Sequence, residues 1–366
     1  MCEQGRLSRM TGALCDCTRR IAMKKRIVVS LMLAATMAGT VLTGCGSSST
    51  TTATTSADTT TSTADAGAST ADSSAATTEA ASDAASTLTD FDGNPITADP
   101  DLADATSPKG DKVLRVAIEC AYAPYNWTQE SEDVPNGDKA VKITNSDGYA
   151  YGYDVRCAQE IAAALGWDLE IYKSDWSAIF MGLEDGTYDC VMSGMCYTPE
   201  RDETYDFSNV YYYRTIKAAV RSDSEYASYT GLSDFAGKNV KVTTQAGTNF
   251  INYKDEIPDA VPVTDYETSG EAFMAVENQT ADVVVLDYTT CVSALTTMPD
   301  LKMLDLDADD DFTPKEGDSN DCCICFRDGD TTRDLVNQAM DYIGWTDRDK
   351  MDTLMDEMIT LQPNAN

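Results

Sequence analysis

The sequence predicts an α/β protein built as two lobes with a ligand cleft between them. Three observations predict it. From about residue 110 onward, short apolar strand patterns alternate with segments of helical spacing, the pattern of parallel βα units. The alternation runs twice, and extended segments join the two series, so each series is expected to form its own sheet. The 366-residue length and 42% hydrophobic content leave material for two cores once the low-complexity part is set aside.

The N-terminal quarter is read as an address followed by a leash. Residues 1–22 precede what reads as the true start, Met23, and are treated as a mis-assigned extension. Met23-Lys-Lys-Arg26, an apolar run from Ile27 to Leu42, and Leu42-Thr43-Gly44-Cys45 make residues 23–44 a secretory signal peptide. The ending resembles a bacterial lipobox, which implies cleavage before Cys45 and diacylation of its thiol. An uncleaved membrane anchor is the alternative, since the run is nearly long enough to span. The small residues before Cys45 and the polar stretch directly after it favour the lipoprotein. Residues 45–109, rich in Ser, Thr and Ala, bury too little apolar surface to fold and read as a disordered tether with a reach on the order of 40 Å.

The body begins with strand Lys112–Glu119, where Val113, Leu114, Val116 and Ile118 lie close together. Helix Asp154–Leu165 follows from apolar residues at three- and four-residue spacing, with Gly166 as its stop. Strand Leu169–Lys173, helix Trp176–Leu183 and strand Cys190–Ser193 complete the first series. The second holds strand Asn239–Thr244, a short helix from Thr248, helix Glu271–Asn278, strand Val283–Leu286 and helix Thr290–Thr297. Helices Asp334–Ile343 and Lys350–Ile359 close the chain. The expected lobes are 110–216 with 327–366, and 217–326. Hinges are expected near Tyr213–Ala218 and Cys323–Arg327.

Charge excludes whole classes of function. With 27 Lys+Arg against 61 Asp+Glu, a net charge of −34 has none of the basic footprint of a nucleic-acid binder. Losing residues 1–44 removes 7 basic and 2 acidic residues, so the processed chain carries 20 − 59 = −39 and is repelled by anionic lipid headgroups. With no histidine, Ser-His-Asp and Cys-His catalysis and His-ligated zinc are ruled out.

Seven short pieces then carry a family resemblance: Val116-Ala-Ile-Glu-Cys-Ala-Tyr-Ala-Pro-Tyr125, Gly152-Tyr-Asp-Val155, Asp189-Cys-Val-Met-Ser-Gly-Met195, Tyr197-Thr-Pro-Glu-Arg201, Asp206-Phe-Ser208, Gln245-Ala-Gly-Thr248 and Ala281-Asp-Val-Val-Val-Leu-Asp287. In this order and spacing the body, residues 112 to about 360 with an insertion at about 129–149, resembles the extracellular solute-binding proteins of polar amino-acid ABC transporters. The resemblance implies the bilobal periplasmic-binding-protein fold of type II topology. Its implied partners are a free amino acid, an ABC permease and the membrane through the lipid anchor. It implies no cofactor.

A free amino acid needs a bidentate cationic donor for its carboxylate and a carboxylate for its ammonium. Arg201 follows a helix-start signal, and Asp287 ends an apolar strand run at a carboxyl-terminal sheet edge. The resemblance gives Arg201 the carboxylate and Asp287 the ammonium; the bland alternative for either is a structural ion pair. Thr248, after Gln245-Ala-Gly247, reads as a ligand contact or an N-cap, or both. Ser193 and Gly194 occupy a ligand-facing strand end in the family. Cys196 and Asn249 stand where Ser or Thr is more usual. Tyr122 and Trp176 match the two aromatic walls of the family's cleft, and Trp176 lies 17 residues before Ser193 as the resemblance asks. Ordinary core packing is the alternative for both aromatics; Tyr125 and Trp127 are read as structural. Glu119 matches a position where the family often carries Asp and leaves a spare negative charge in the cleft, which tilts specificity toward Lys, Arg or ornithine, with Gln, His or a cystine-like ligand next. A local Lys or a water satisfying Glu119 is the alternative.

The remaining motifs carry less. Cys120, Cys157, Cys190, Cys196, Cys291, Cys322, Cys323 and Cys325 read mostly as free thiols, with Cys157 and Cys190 as small buried hydrophobes. Cys322-Cys323-Ile324-Cys325 lacks a second ligand pair for zinc, and Asp307, Asp309 and Asp311 fail the calcium-loop pattern at Phe312 and Asp318. The expectation is therefore a non-enzymatic lipoprotein on the outer face of the membrane, closing on its ligand and docking on a permease. The alternatives are a dehydratase-like enzyme of the same fold, which would not need the ammonium-binding Asp, and a sensory module, which would need a signalling segment beyond Asn366.

Overall fold

The computed structural model describes residues 88–90 and 92–363. The signal peptide, Cys45 and most of the expected tether lie outside the described residues. Among the described residues no helix is long and apolar enough to cross a membrane.

The first sheet has the strand order Asp168–Lys173, Val113–Ile118, Cys190–Val191, Cys322–Arg327, Tyr205–Tyr212. Val113–Ile118 runs parallel to Asp168–Lys173 and to Cys190–Val191. Its near-continuous apolar run fits a strand covered on both faces, and Leu114 to Ile118 are all buried. Helix Tyr153–Leu165 supplies the crossover, ending at Gly166 in the left-handed conformation with φ 68°. Gly152, in front of it, has φ 124°, and a Cβ there would lie 2.5 Å from the Tyr125 carbonyl oxygen, so the bend is open to glycine alone. Helices Thr332–Tyr342 and Arg348–Leu361 bury Val336, Met340, Met351, Met355 and Met358 against this lobe.

The second sheet has the order Val261–Pro262, Lys241–Thr243, Val283–Asp287, Ile216–Arg221, Leu301–Met303, with its own core around Val242, Val284, Phe235 and Phe273. Each sheet is mixed rather than wholly parallel. The strands that arrive from the opposite lobe, Ile216–Arg221 and Cys322–Arg327, run antiparallel to their neighbours. Both were expected only as part of extended linking segments. Hinge strands have no crossover helix of their own, so the helical periodicity that flags a parallel unit is missing around them.

Three expectations are corrected. Cys323–Arg327 is not a hinge: it lies within strand Cys322–Arg327 of the first sheet, and the return crossing lies between Phe312, packed on the second core, and Ser319, whose N–H donates to the Tyr197 carbonyl. The first crossing is shorter than expected, three residues between Tyr212 in one sheet and Ile216 in the other, so the second lobe starts at Ile216 and ends before Cys322. The tail of the tether is structured. Asp99 donates its N–H to the Ala164 carbonyl at 2.8 Å, and Leu102, in the 3₁₀ turn Pro100–Leu102, is buried in the first core. The composition shift away from Ser/Thr/Ala near residue 88 is the one sequence signal of this change.

The insertion at 129–149 forms part of a small sheet, ordered Ala121–Tyr122, Asn126–Gln129, Tyr149–Tyr151, Val141–Lys142. Val134, Ala140 and Ile143 bury its inner face, and Asp138 pairs with Arg156 at 2.7 Å. All eight body cysteines are free and buried, and burial pushes the Cys120, Cys323 and Cys325 thiols up to about 12. Cys120, Cys157, Cys190, Cys291, Cys322, Cys323 and Cys325 serve as small buried groups whose thiolate is suppressed by burial.

Leu102→Ala is expected to lower unfolding stability by roughly 2–4 kcal/mol through lost burial and the cavity left behind. Urea titration of the folded body checks it; a loss under about 0.5 kcal/mol would show that the docked segment contributes little.

Candidate functional site

The cleft lies between the carboxyl ends of the two sheets. From the first lobe it is lined by Glu119, Tyr122 and Trp176, then by Ser193, Gly194, Cys196 and Arg201. The second lobe contributes Gln245, Thr248, Asn249 and Phe250, and the first crossing contributes Arg214. The structure therefore gathers all the expected site residues around one cavity except Asp287.

Arg201 sits in the four-residue helix Pro199–Asp202, whose start is capped by Thr198. Its Nη1 donates to the Cys196 carbonyl at 2.9 Å and Nη2 to the Gly247 carbonyl at 3.4 Å, and the guanidinium lies 5.8 Å from the centre of the Trp176 ring. It makes no ion pair among the described residues, so its charge is left for something else. Cys196 contributes by holding this guanidinium, through its carbonyl and through Sγ at 3.4 Å.

Glu119 follows strand Val113–Ile118 and is 4% exposed. Among the described residues it is the one carboxylate lining the cleft. Gln245 Nε2 donates to both of its oxygens, at 3.3 and 3.1 Å. Burial pushes its carboxyl up to about 7; the Gln245 hydrogen bond opposes this, Glu267 and Asp175 add to it, and Lys173 is too weak a counter-charge to cancel it. The Glu119 N–H donates to Ser193 Oγ at 3.2 Å, and Asn126 Nδ2 donates to the same oxygen at 3.3 Å. With two donors already on its oxygen, the Ser193 hydroxyl keeps its proton to give into the cleft. Behind it, Asp154 accepts from Asn126 and Tyr211, both at 2.7 Å, and burial pushes its carboxyl up to about 7 as well.

Tyr122 forms one wall. Gly194 beside it has φ 56°, and a Cβ there would come 2.6 Å from the Tyr122 ring, so this close approach needs glycine. Trp176 forms the other wall and packs edge-on to Phe180. Tyr125 and Trp127 are buried in the core, as expected for structural aromatics.

Asp287 is the correction. Its carboxylate is fully buried and does not line the cleft. Oδ2 accepts from the Tyr122 hydroxyl at 2.5 Å and from Thr290 Oγ1 at 2.7 Å. Oδ1 accepts from Thr289 Oγ1 at 2.7 Å, the Thr290 N–H at 3.0 Å and the Tyr125 hydroxyl at 3.3 Å. It is the N-cap of helix Tyr288–Thr297, and Tyr122 stands between it and the cavity. The short helix of the second lobe is also shifted: it starts at Phe250 with Asn249 in the cap position, while Thr248 donates to the Gln245 carbonyl at 2.7 Å and pins its own loop. Asn249 donates to Asn320 across the hinge at 2.9 Å.

Three lining residues escaped the sequence reading. Gln245 belongs to the piece Gln245-Ala-Gly-Thr248, whose local pattern points to Thr248 alone. Phe250 and Arg214 lay in no motif. Arg214 is buried, donating to the carbonyls of Gly194 at 3.0 Å and Asn320 at 2.9 Å while stacking 4.9 Å from the Phe250 ring centre. Its place in the expected hinge was the available hint.

The sequence profile of the bacterial extracellular solute-binding proteins, family 3, matches residues 114–355. The chain belongs to that family. Among curated relatives of this family-3 protein, the arginine-binding extracellular protein ArtP of Bacillus subtilis is 31% identical over 136 residues, 37% of this chain and 46% of that protein. The chain thus spans less than half of that relative's length. A probable histidine-binding protein of Neisseria gonorrhoeae is 27% identical over 243 residues, covering 66% of this chain and 82% of the relative. An amino-acid ABC transporter substrate-binding protein from Streptococcus pneumoniae, crystallised with L-arginine, is 22% identical with a TM-score of 0.56 and covers 69% of this chain and 95% of its own. That likeness speaks for the fold, and it bears out the bilobal type II architecture.

The raised Glu119 carboxyl fixes the sign of a pH effect. Its folded value, about 7, lies above the ordinary 4.5, so its contribution to stability is full below about pH 4.5 and is lost as pH rises toward 7. Glu119→Gln removes this decline: the variant's stability relative to the parent is expected to rise between pH 4.5 and 7.5 by up to about 3 kcal/mol. Denaturant titrations of both proteins across that range check it, and a pH-independent difference would refute the shift.

Proposed function

We propose that this family-3 protein captures a small carboxylate bearing a cationic group, a basic amino acid being the leading case, and delivers it to an ABC importer. The observation that carries the reading is the pair of opposite charges in one cleft: Arg201, free of any ion pair among the described residues, and Glu119, the one lining carboxylate. Arg201 presents a planar donor to the ligand carboxylate, Ser193 adds a hydroxyl, and Tyr122 and Trp176 enclose the stem. A cation beside Glu119 stabilises its ionised form, which burial alone disfavours. The names of the arginine- and histidine-binding relatives support a cationic ligand.

Capture follows from the division of the site. Glu119, Trp176, Ser193 and Arg201 belong to one lobe, Gln245, Thr248 and Asn249 to the other. A ligand touching both favours the closed arrangement by its differential affinity. The lipid anchor at Cys45, the tether and docking on a permease belong to the same proposal, on the strength of the lipobox and leash in the sequence. One observation favours a second reading, an enzyme of the same fold: a buried cleft carboxyl titrating near 7 suits general acid–base chemistry. Recovery of the bound compound unchanged after prolonged incubation, read by mass spectrometry, would exclude it.

A thermal-shift panel of the common amino acids tests the proposal. Arginine, lysine or ornithine is expected to raise the melting temperature, and Arg201→Ala to abolish the shift. Affinity for the cationic ligand is expected to fall roughly tenfold per pH unit below about pH 7, as Glu119 takes up a proton. If no amino acid shifts the melt, or if Arg201→Ala keeps the shift, the proposal fails.

A further inference from the structure

We infer that Arg214 is the positioning residue of the hinge: its guanidinium ties the two crossings to each other and to the cleft wall, and so sets how readily the lobes close. Closure without ligand does not depend on what the cleft captures; only the affinity part of the test rests on the capture reading.

Arg214 stands in the three-residue crossing between Tyr212 of the first sheet and Ile216 of the second. It is buried and makes no ion pair among the described residues. A guanidinium stays charged at any working pH, so its burial is tolerated only where its donors are filled. Nη1 donates to the Gly194 carbonyl in the cleft wall at 3.0 Å and approaches the Tyr122 hydroxyl at 3.5 Å. Nε donates to the Asn320 carbonyl, just past the return crossing, at 2.9 Å. The guanidinium carbon lies 4.9 Å from the centre of the Phe250 ring in the second lobe. One side chain therefore touches both lobes and links the two places where the chain passes between them.

Asn320 carries the tie further. While its carbonyl holds Arg214, its Oδ1 accepts from Asn249 Nδ2 at 2.9 Å and from the Tyr253 hydroxyl at 2.8 Å, both in the second lobe. Asn249 and Phe250 line the cleft, as Gly194 does from the other side, so both ends of this chain of contacts lie among residues that face the cavity. The contacts belong to the arrangement in which Gln245 meets Glu119 and Ser177 meets Glu267 across the cleft. A hinge rotation that parts those pairs moves Asn249 and Phe250 away from Gly194 and must stretch or break the tie. Contacts made only in one arrangement favour it, and the apparent affinity of a ligand that needs closure scales with the share of molecules already closed. A planar fork can reach two carbonyls and lie on an aromatic face at once; a lysine fills one carbonyl at a time.

Energy transfer between dyes at Met181 and Met274, exposed by 70% and 49% on helices of opposite lobes, reads the closed-to-open ratio of the full-length protein freed of ligand by reversible unfolding. Arg214→Lys is expected to lower that ratio about fivefold. Asn320→Ala, which keeps the backbone carbonyl that Arg214 holds, is expected to lower it about twofold and decides alone if the lysine variant does not fold. Calorimetry with L-arginine as the probe is expected to show affinity falling by up to the same factors. A lower melting temperature with an unchanged ratio would show that Arg214 serves the fold alone. An affinity loss with an unchanged ratio would make it a direct ligand contact. Either result overturns the inference, as does a lysine variant that keeps both closure and affinity, because charge without the fork then suffices. If L-arginine does not bind the parent protein, the capture reading loses its leading ligand, and the closed-to-open ratio still decides the role of Arg214.

Discussion

The two lobes meet at one buried carboxylate. Asp287 ends a strand of the second sheet, lies opposite Ile216 where the chain first enters that lobe, and caps the helix that follows. The hydroxyls of Tyr122 and Tyr125 reach it from the first lobe. A buried carboxylate is tolerated when its lone pairs are filled; Thr289 and Thr290 of its own lobe supply three of the bonds, and the two tyrosines of the first lobe supply the rest. The position of Tyr122 follows from it, and with Tyr122 the shape of the cleft wall and the need for Gly194.

Further contacts across the cleft cooperate with that one. Gln245 grips Glu119, Arg201 donates to Gly247, the Ser177 N–H donates to Glu267 at 2.8 Å, and Gln362 at the end of the last helix bonds Ser293. None is strong by itself, since each replaces a bond to water. Together they place the Arg201 guanidinium and the buried Glu119 carboxyl in one site, where charge counts for more than at the surface. A protein without histidine works here with fixed charges at Arg201 and Arg214, and its one lining titratable carboxyl is tuned by burial. Of the eight cysteines, Cys120, Cys157, Cys190 and Cys322 pack in the first core and Cys291 in the second, while Cys196 lines the cleft.

Much of this was legible early. The periodicity of Val113–Ile118 and Tyr153–Leu165, and the seven spaced pieces, located the first lobe's core and nearly all of the cleft residues, because those residues sit at strand ends and turns whose local chemistry is distinctive. The hinge strands were not legible. Tyr205–Tyr212, Ile216–Arg221 and Cys322–Arg327 earn their place by pairing with strands far away in sequence, and no local pattern announces such pairing. The docked segment around Leu102 was hidden for a related reason: one buried leucine in a polar stretch is invisible until the surface it covers exists.

The sequence by itself determined the family, the two-lobed α/β plan, the acidic charge that excludes nucleic acid, and the residue types that face the cleft, since each follows from local spacing or composition. Only the tertiary structure decided which charges remain available there. Asp287 is a carboxylate in any reading of the sequence, but two tyrosines from the other lobe donate to it, and it caps the following helix without lining the cavity. Whether a charged group serves a ligand or the fold depends on what surrounds it in three dimensions, and that is set by contacts more than a hundred residues apart along the chain.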